Sequence, residues 1–107
     1  MESVNILSYI RNRCSGLNND LFENHISVSS KCSCGYVKED AFHYLFVCPL
    51  FIDERTEMLR SLEVNSLPND IDSLLNGNSM LTQENNTVVF KLVHKFIKKT
   101  KRFDDQR

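Results

Sequence analysis

The chain has 107 residues, 41% hydrophobic and 25% charged, with no Trp and a formal net charge of −1. This sets the expectation of one domain with one core, and nothing in the composition suggests disorder. The longest apolar run, 41–52, is interrupted by His43 and Pro49 and falls short of the roughly 20 residues a membrane span needs, so no membrane partner is expected.

In chain order, Val4, Leu7 and Ile10, with Ile6 beside them, mark one face of a first helix that Ser3 or Asn5 can cap and Gly16 can stop. A short second helix is expected over Asn18 to Glu23. "HISVSSKCSCGY" then reads as a β-turn or small β-ribbon, being rich in Ser and β-branched residues with one Gly. Helical patterning resumes at Asp40 and must break at Cys48, because Pro49 disfavours α geometry in the residue before it. Proline also suits the first turn of a new helix, with Asp53 and Glu54 near its positive end. Phe51, Ile52, Met58, Leu59 and Leu62 would form that helix's buried side. A turn-rich stretch with one short helix, Ile71 to Leu75, precedes a last helix over about Gln83 to Lys101. Its stripe is Val89, Val93, Phe96 and Ile97, fading at Thr100. The expectation is a mainly α domain: N-terminal helices over 1–31, a metal-binding core over 32–62, a turn-rich segment over 63–86, and a basic helix and tail over 87–107.

Charge is uneven along this order. Residues 32–86 carry three basic and nine acidic side chains, whereas 87–107 carry seven basic and two acidic. Attraction to phosphate therefore belongs to the tail, and the acidic middle weakens it.

Three of four cysteines and one of three histidines crowd into "KCSCGYVKEDAFHYLFVCP". The acid at position 2 and the lack of a long apolar leader argue against secretion. The expected setting is thus intracellular and reducing, nucleus or cytoplasm, where clustered cysteines serve metals or catalysis more often than disulfides. Cys32, Cys34, His43 and Cys48 supply the four donors of a closed tetrahedral zinc site. Gly35 lets the backbone turn tightly behind the CxC pair. On an unbroken α-helix His43 and Cys48 would point about 140° apart, so the break at Pro49 belongs to the site. Zinc binding by finger peptides is worth about 10–16 kcal/mol, against about 5–15 kcal/mol for the stability of a whole domain. With three thiolates on a divalent ion the centre keeps one negative charge, which makes Lys31 and Lys38 candidate outer partners.

Competing readings are a Cys32/Cys34 redox pair, a disulfide set that includes Cys14, and a plain core role for His43. One intervening residue suits a mutual disulfide poorly, and secretion is not indicated. Four protein ligands also leave no open position for a substrate, so neither an enzyme nor a small-molecule substrate is expected.

The stretch "LNNDLFENHISVSSKCSCGYVKEDAFHYLFVCPLFIDER" resembles the zinc-binding region that follows the reverse transcriptase domain in non-LTR retrotransposon polyproteins. Leu17, Asn18, Leu21, Phe22, Cys32, Cys34, Gly35, His43, Cys48, Pro49 and Arg55 carry the likeness. "KFIKKTKRF" is similar to the end of such polyproteins. The resemblance implies a terminal zinc-binding appendage that assists nucleic-acid handling, without polymerase activity of its own, and a remnant or separate reading frame derived from such an element. A reverse transcriptase domain is one implied partner. "RFDD", 102–105, superficially resembles an aromatic-x-Asp-Asp metal site, but its aromatic is one place too close and it reads as a solvated tail.

Nucleic acid, RNA or single-stranded DNA, is the other expected partner. Lys91, Lys95, Lys98, Lys99, Lys101 and Arg102 are the candidate contacts, with Lys91, Lys95, Lys98 and Arg102 on one helical face and Phe103 free to stack on a base. The alternative is a zinc-stabilised docking module, in which the lysines are merely the solvated side of an apolar helix.

Overall fold

The computed structural model describes residues 16–103. The expected first helix, Cys14, and the acids of "RFDD" lie outside them. Among the described residues four α-helices form: α1 (Asn18–Glu23), α2 (Ile52–Val64), α3 (Ile71–Asn76) and α4 (Gln83–Thr100). Between α1 and α2, a short helical segment entered at Ala41 widens into a π-helical turn over His43–Val47, and a 3-10 turn over Pro49–Phe51 leads straight into α2. The fold is mainly α, as the periodicity requires. Among the described residues no helix is long and apolar enough to cross a membrane.

The CxC segment carries the expected β-turn, with Gly35 N donating to Cys32 O at 2.9 Å, but no strand forms among the described residues. The two arms are tied by Cys32 N to Tyr36 O at 2.9 Å, by Glu39 N to Ser30 O at 2.7 Å, and by Ser30 Oγ to Val37 O at 2.9 Å. Serine hydroxyls take the place of a ladder: Lys31 N donates to Ser29 Oγ and Ser29 N to Ser27 Oγ. Such local bonds compete with strand pairing, which is why the ribbon does not form.

Helices α3 and α4 begin on side-chain caps. Asp70 accepts from Ser73 N, and Thr82 from Asn85 N, each satisfying an amide that lacks an intrahelical partner. The α4 stripe is buried as expected, Val89, Val93, Phe96 and Ile97 lying against Met58 and Leu62 of α2 and Leu74 and Leu75 of α3. Burying each such side chain is worth about 1.5–3 kcal/mol. Tyr44 sits at the centre of this core, edge-on to Phe51 and Phe103 and tilted against Phe96, and its hydroxyl shares a 2.7 Å hydrogen bond with Thr100 Oγ1. The expected buried side of α2 changes at its start: Ile52 is exposed, and in the first turns it is Arg55 that points inward. The 3-10 turn rotates the start of α2 relative to a continuous helix.

Candidate metal centre

Asp40 starts the segment that delivers His43. Its carboxylate accepts from His43 N at 2.8 Å, and its carbonyl accepts from Tyr44 N at 3.0 Å. Four residues later the chain widens: Cys48 N donates to His43 O at 2.8 Å, an i to i+5 closure that brings residue 48 back over residue 43. Cys48 then leaves the helical path at φ −58° and ψ 122°, the extended geometry that a following proline favours. The expected break is therefore present, and it acts together with a π turn that the 3.6-residue reading does not contain.

The opposing donors come from the β-turn. Gly35 holds φ at +102°, in the region L side chains rarely adopt. A Cβ there would meet open space. The requirement for glycine is thus conformational and not steric.

These two pieces bring all four expected ligands together. The Sγ atoms of Cys32, Cys34 and Cys48 and one ring nitrogen of His43 lie within 4.8 Å of one another. Cys32 Sγ and Cys48 Sγ are 3.8 Å apart, and Cys34 Sγ is 3.3 Å from His43 Nε2. All three cysteines are free thiols, so no disulfide joins any two of them. Cys32, His43 and Cys48 are buried, while Cys34 is partly accessible. Such a cluster could hold a metal ion.

Backbone amides address each sulfur: that of Cys34 faces Cys32, that of Tyr36 faces Cys34, and that of Leu50 faces Cys48. Burial pushes the Cys32 thiol up to about 12 and raises Cys48, whereas the Tyr36 amide lowers Cys34. Burial also lowers His43, which favours the neutral, ligating imidazole. Tyr36 stacks on that ring, with centroids 4.6 Å apart and planes within 3°. His43 Nδ1 is buried without a hydrogen-bond partner, leaving Nε2 as the atom that faces sulfur.

Three residues that the ligand spacing does not single out hold this arrangement. Arg55 is buried and donates from Nε to Leu45 O at 2.8 Å and from an Nη to Tyr44 O at 3.1 Å. These carbonyls belong to the turn interrupted by Pro49 and would otherwise lack donors. Glu39 is 2% exposed. It accepts from Asn18 N at 2.7 Å, and its carbonyl from Asn19 N at 2.9 Å, so it caps α1 from a distance. It also lies 3.8 Å from Cys32 Sγ and takes a two-pronged ion pair from Arg102. An acid next to a ligand-rich turn and arginines at 55 and 102 were the available sequence signals. The expected outer cations are elsewhere: Lys31 is exposed, and Lys38 pairs with Asp40 at 3.9 Å.

The basic set divides. Lys91, Lys95, Lys98, Lys99 and Lys101 are exposed and, with His94, line an open groove of ≈ 640 Å³. Arg102 is not part of it. Helix α4 ends at Thr100, and Lys101 takes a left-handed conformation at φ 55°, which turns Arg102 back to Glu39 and to Gly16 O at 3.1 Å. Phe103, expected as a free stacking ring, is buried against Tyr44 with centroids 5.6 Å apart. Comparison of the chain with protein-family models, curated proteins and solved structures finds no match.

Proposed function

We propose that the chain is a zinc-stapled nucleic-acid-binding appendage, of the kind its sequence resembles, with Zn2+ held by Cys32, Cys34, His43 and Cys48 and phosphates met by the lysines of α4. The observation that carries the reading is the convergence of three sulfurs and an imidazole within 4.8 Å. Zinc bonds sulfur at about 2.3 Å, so a tetrahedron sets two sulfurs about 3.8 Å apart and a sulfur and imidazole nitrogen about 3.5 Å apart. The closest pairs, at 3.8 Å and 3.3 Å, fit this pattern. Three thiolates on Zn2+ leave one negative charge and Glu39 adds a second; Arg55 and Arg102 offset both. A set of four protein ligands leaves no position for substrate, which supports a structural ion without catalysis.

Support for the nucleic-acid half is the open lysine groove, whose exposed ammonium groups can release counterions from a phosphate chain. A second reading, docking on a protein such as a polymerase domain, draws on exposed Phe42, Val47, Leu50 and Ile52 beside the metal-binding turn. Anisotropy titration with a labelled single-stranded oligonucleotide separates the two. Replacing Lys91, Lys95, Lys98 and Lys101 by Gln should abolish salt-sensitive retention. Unchanged retention, or none by the parent protein, would leave the docking reading in its place. Arg102 stays native in this test, because its loss would strand Glu39. Metal content measured by mass spectrometry, with and without His43→Ala, tests the zinc half: one Zn2+ per chain is expected, and loss of it in the variant.

A further inference from the structure

The lysines of the groove are not equivalent. Glu57, on α2, reaches across the seam between α2 and α4 and pairs with Lys95 at 3.2 Å and with Lys99. All three side chains remain about half exposed, at 44% for Glu57, 56% for Lys95 and 44% for Lys99. Among the described residues no acid lies within ion-pair distance of Lys91, Lys98 or Lys101. On one turn-by-turn ridge of α4, Lys91, Lys95 and Lys99 follow at i, i+4 and i+8, so the two paired lysines sit directly beside an unpaired one.

A carboxylate between two ammonium groups occupies the position a phosphate oxygen would take. Lys99 and Lys95 hold the Glu57 carboxyl below the usual carboxylate range, so it is ionised wherever nucleic acid is. Its pairing is solvent-screened and therefore weak enough to be displaced.

Resting on the nucleic-acid reading, we infer that Glu57 is a resident competitor for phosphate, which reserves Lys95 and Lys99 and leaves Lys91, Lys98 and Lys101 as the lysines of first contact. The partner's affinity is then limited by an acid on a different helix. A polyanion that engages all five lysines must first displace Glu57, and one that engages three need not.

The test is the salt dependence of binding to a fluorescein-labelled single-stranded oligothymidylate. Each phosphate neutralised on a single strand adds about 0.7 to the slope of log K against log salt. Glu57→Gln should tighten binding and steepen that slope by about 1.4, the weight of two added contacts. Lys95→Gln and Lys99→Gln should weaken binding more in the Glu57→Gln background than in the parent, a coupling read by a double-mutant cycle. Glu84→Gln changes net charge equally, about 16 Å away from Lys95 along the α4 axis, and should alter the slope little. If the parent binds but Glu57→Gln leaves its slope unchanged, or if Glu84→Gln matches Glu57→Gln, the inference is overturned while the nucleic-acid reading stands. If neither the parent nor Glu57→Gln retains the oligonucleotide, both are overturned.

Discussion

At the scale of single residues, the buried acid at position 39 does more than any ligand's neighbour in the sequence would indicate. Its backbone and carboxylate hold the start of α1, and it contacts Cys32 Sγ and Arg102 on the far end of the chain. A buried ion pair gains little over an apolar replacement, but breaking one side of it leaves an uncompensated charge. Arg102→Met should therefore cost about 3–5 kcal/mol in urea unfolding of the metal-loaded protein, and Glu39→Gln in the same background should recover part of that loss. A cost below about 1 kcal/mol for Arg102→Met would mean that the pair is solvated and exchangeable, as surface pairs are. The donor cluster was legible because soft donors are few, and three cysteines and a histidine within 17 residues have few other uses. Arg102 was misread because it stands in a run of lysines, where charge alone does not tell a solvated cation from one folded back onto an acid 63 positions earlier.

At the scale of elements, the decisive piece is the turn from His43 to Pro49. Among the described residues periodicity located α1 to α4 and the buried stripe of α4, since apolar spacing is a direct consequence of facing one core. It could not yield the π turn, whose extra residue is invisible to a 3.6-residue template and is stabilised from outside the segment, by Arg55. The β-ribbon was likewise unreadable, because its absence depends on where the serine hydroxyls of the 27–30 segment bond. Arg55→Leu removes both donors to Tyr44 O and Leu45 O, and each charged hydrogen bond of this kind is worth about 1.5–3 kcal/mol. The expected result is a loss of about 3–6 kcal/mol in chemical denaturation for the two bonds together, with zinc affinity lowered in a chelator competition as Cys48 loses its fixed position over His43. Normal zinc affinity in a folded Arg55→Leu protein would show that the turn holds itself without the arginine.

At the scale of the whole molecule, the centre ties the CxC turn, the 43–49 turn and, through Glu39 and Arg102, the end of the basic helix into one unit. Binding must also displace protons. In the metal-free fold Cys32, pushed up to about 12, and Cys48, raised by burial, are protonated near neutral pH, while His43 is held neutral and Cys34 gives up its proton more readily. Lower pH therefore favours the metal-free form, and log K for zinc should rise by about two to three per pH unit around neutrality. Competition titrations against a chromogenic chelator check this, and a slope below one would contradict the thiol environment described. The most direct measurement is zinc-edge X-ray absorption on the purified, metal-loaded protein. Three sulfurs at about 2.3 Å and one nitrogen at about 2.0 Å are expected around the ion. A shell dominated by oxygen or nitrogen, or one with fewer than three sulfurs, would contradict the joint grip of Cys32, Cys34, His43 and Cys48.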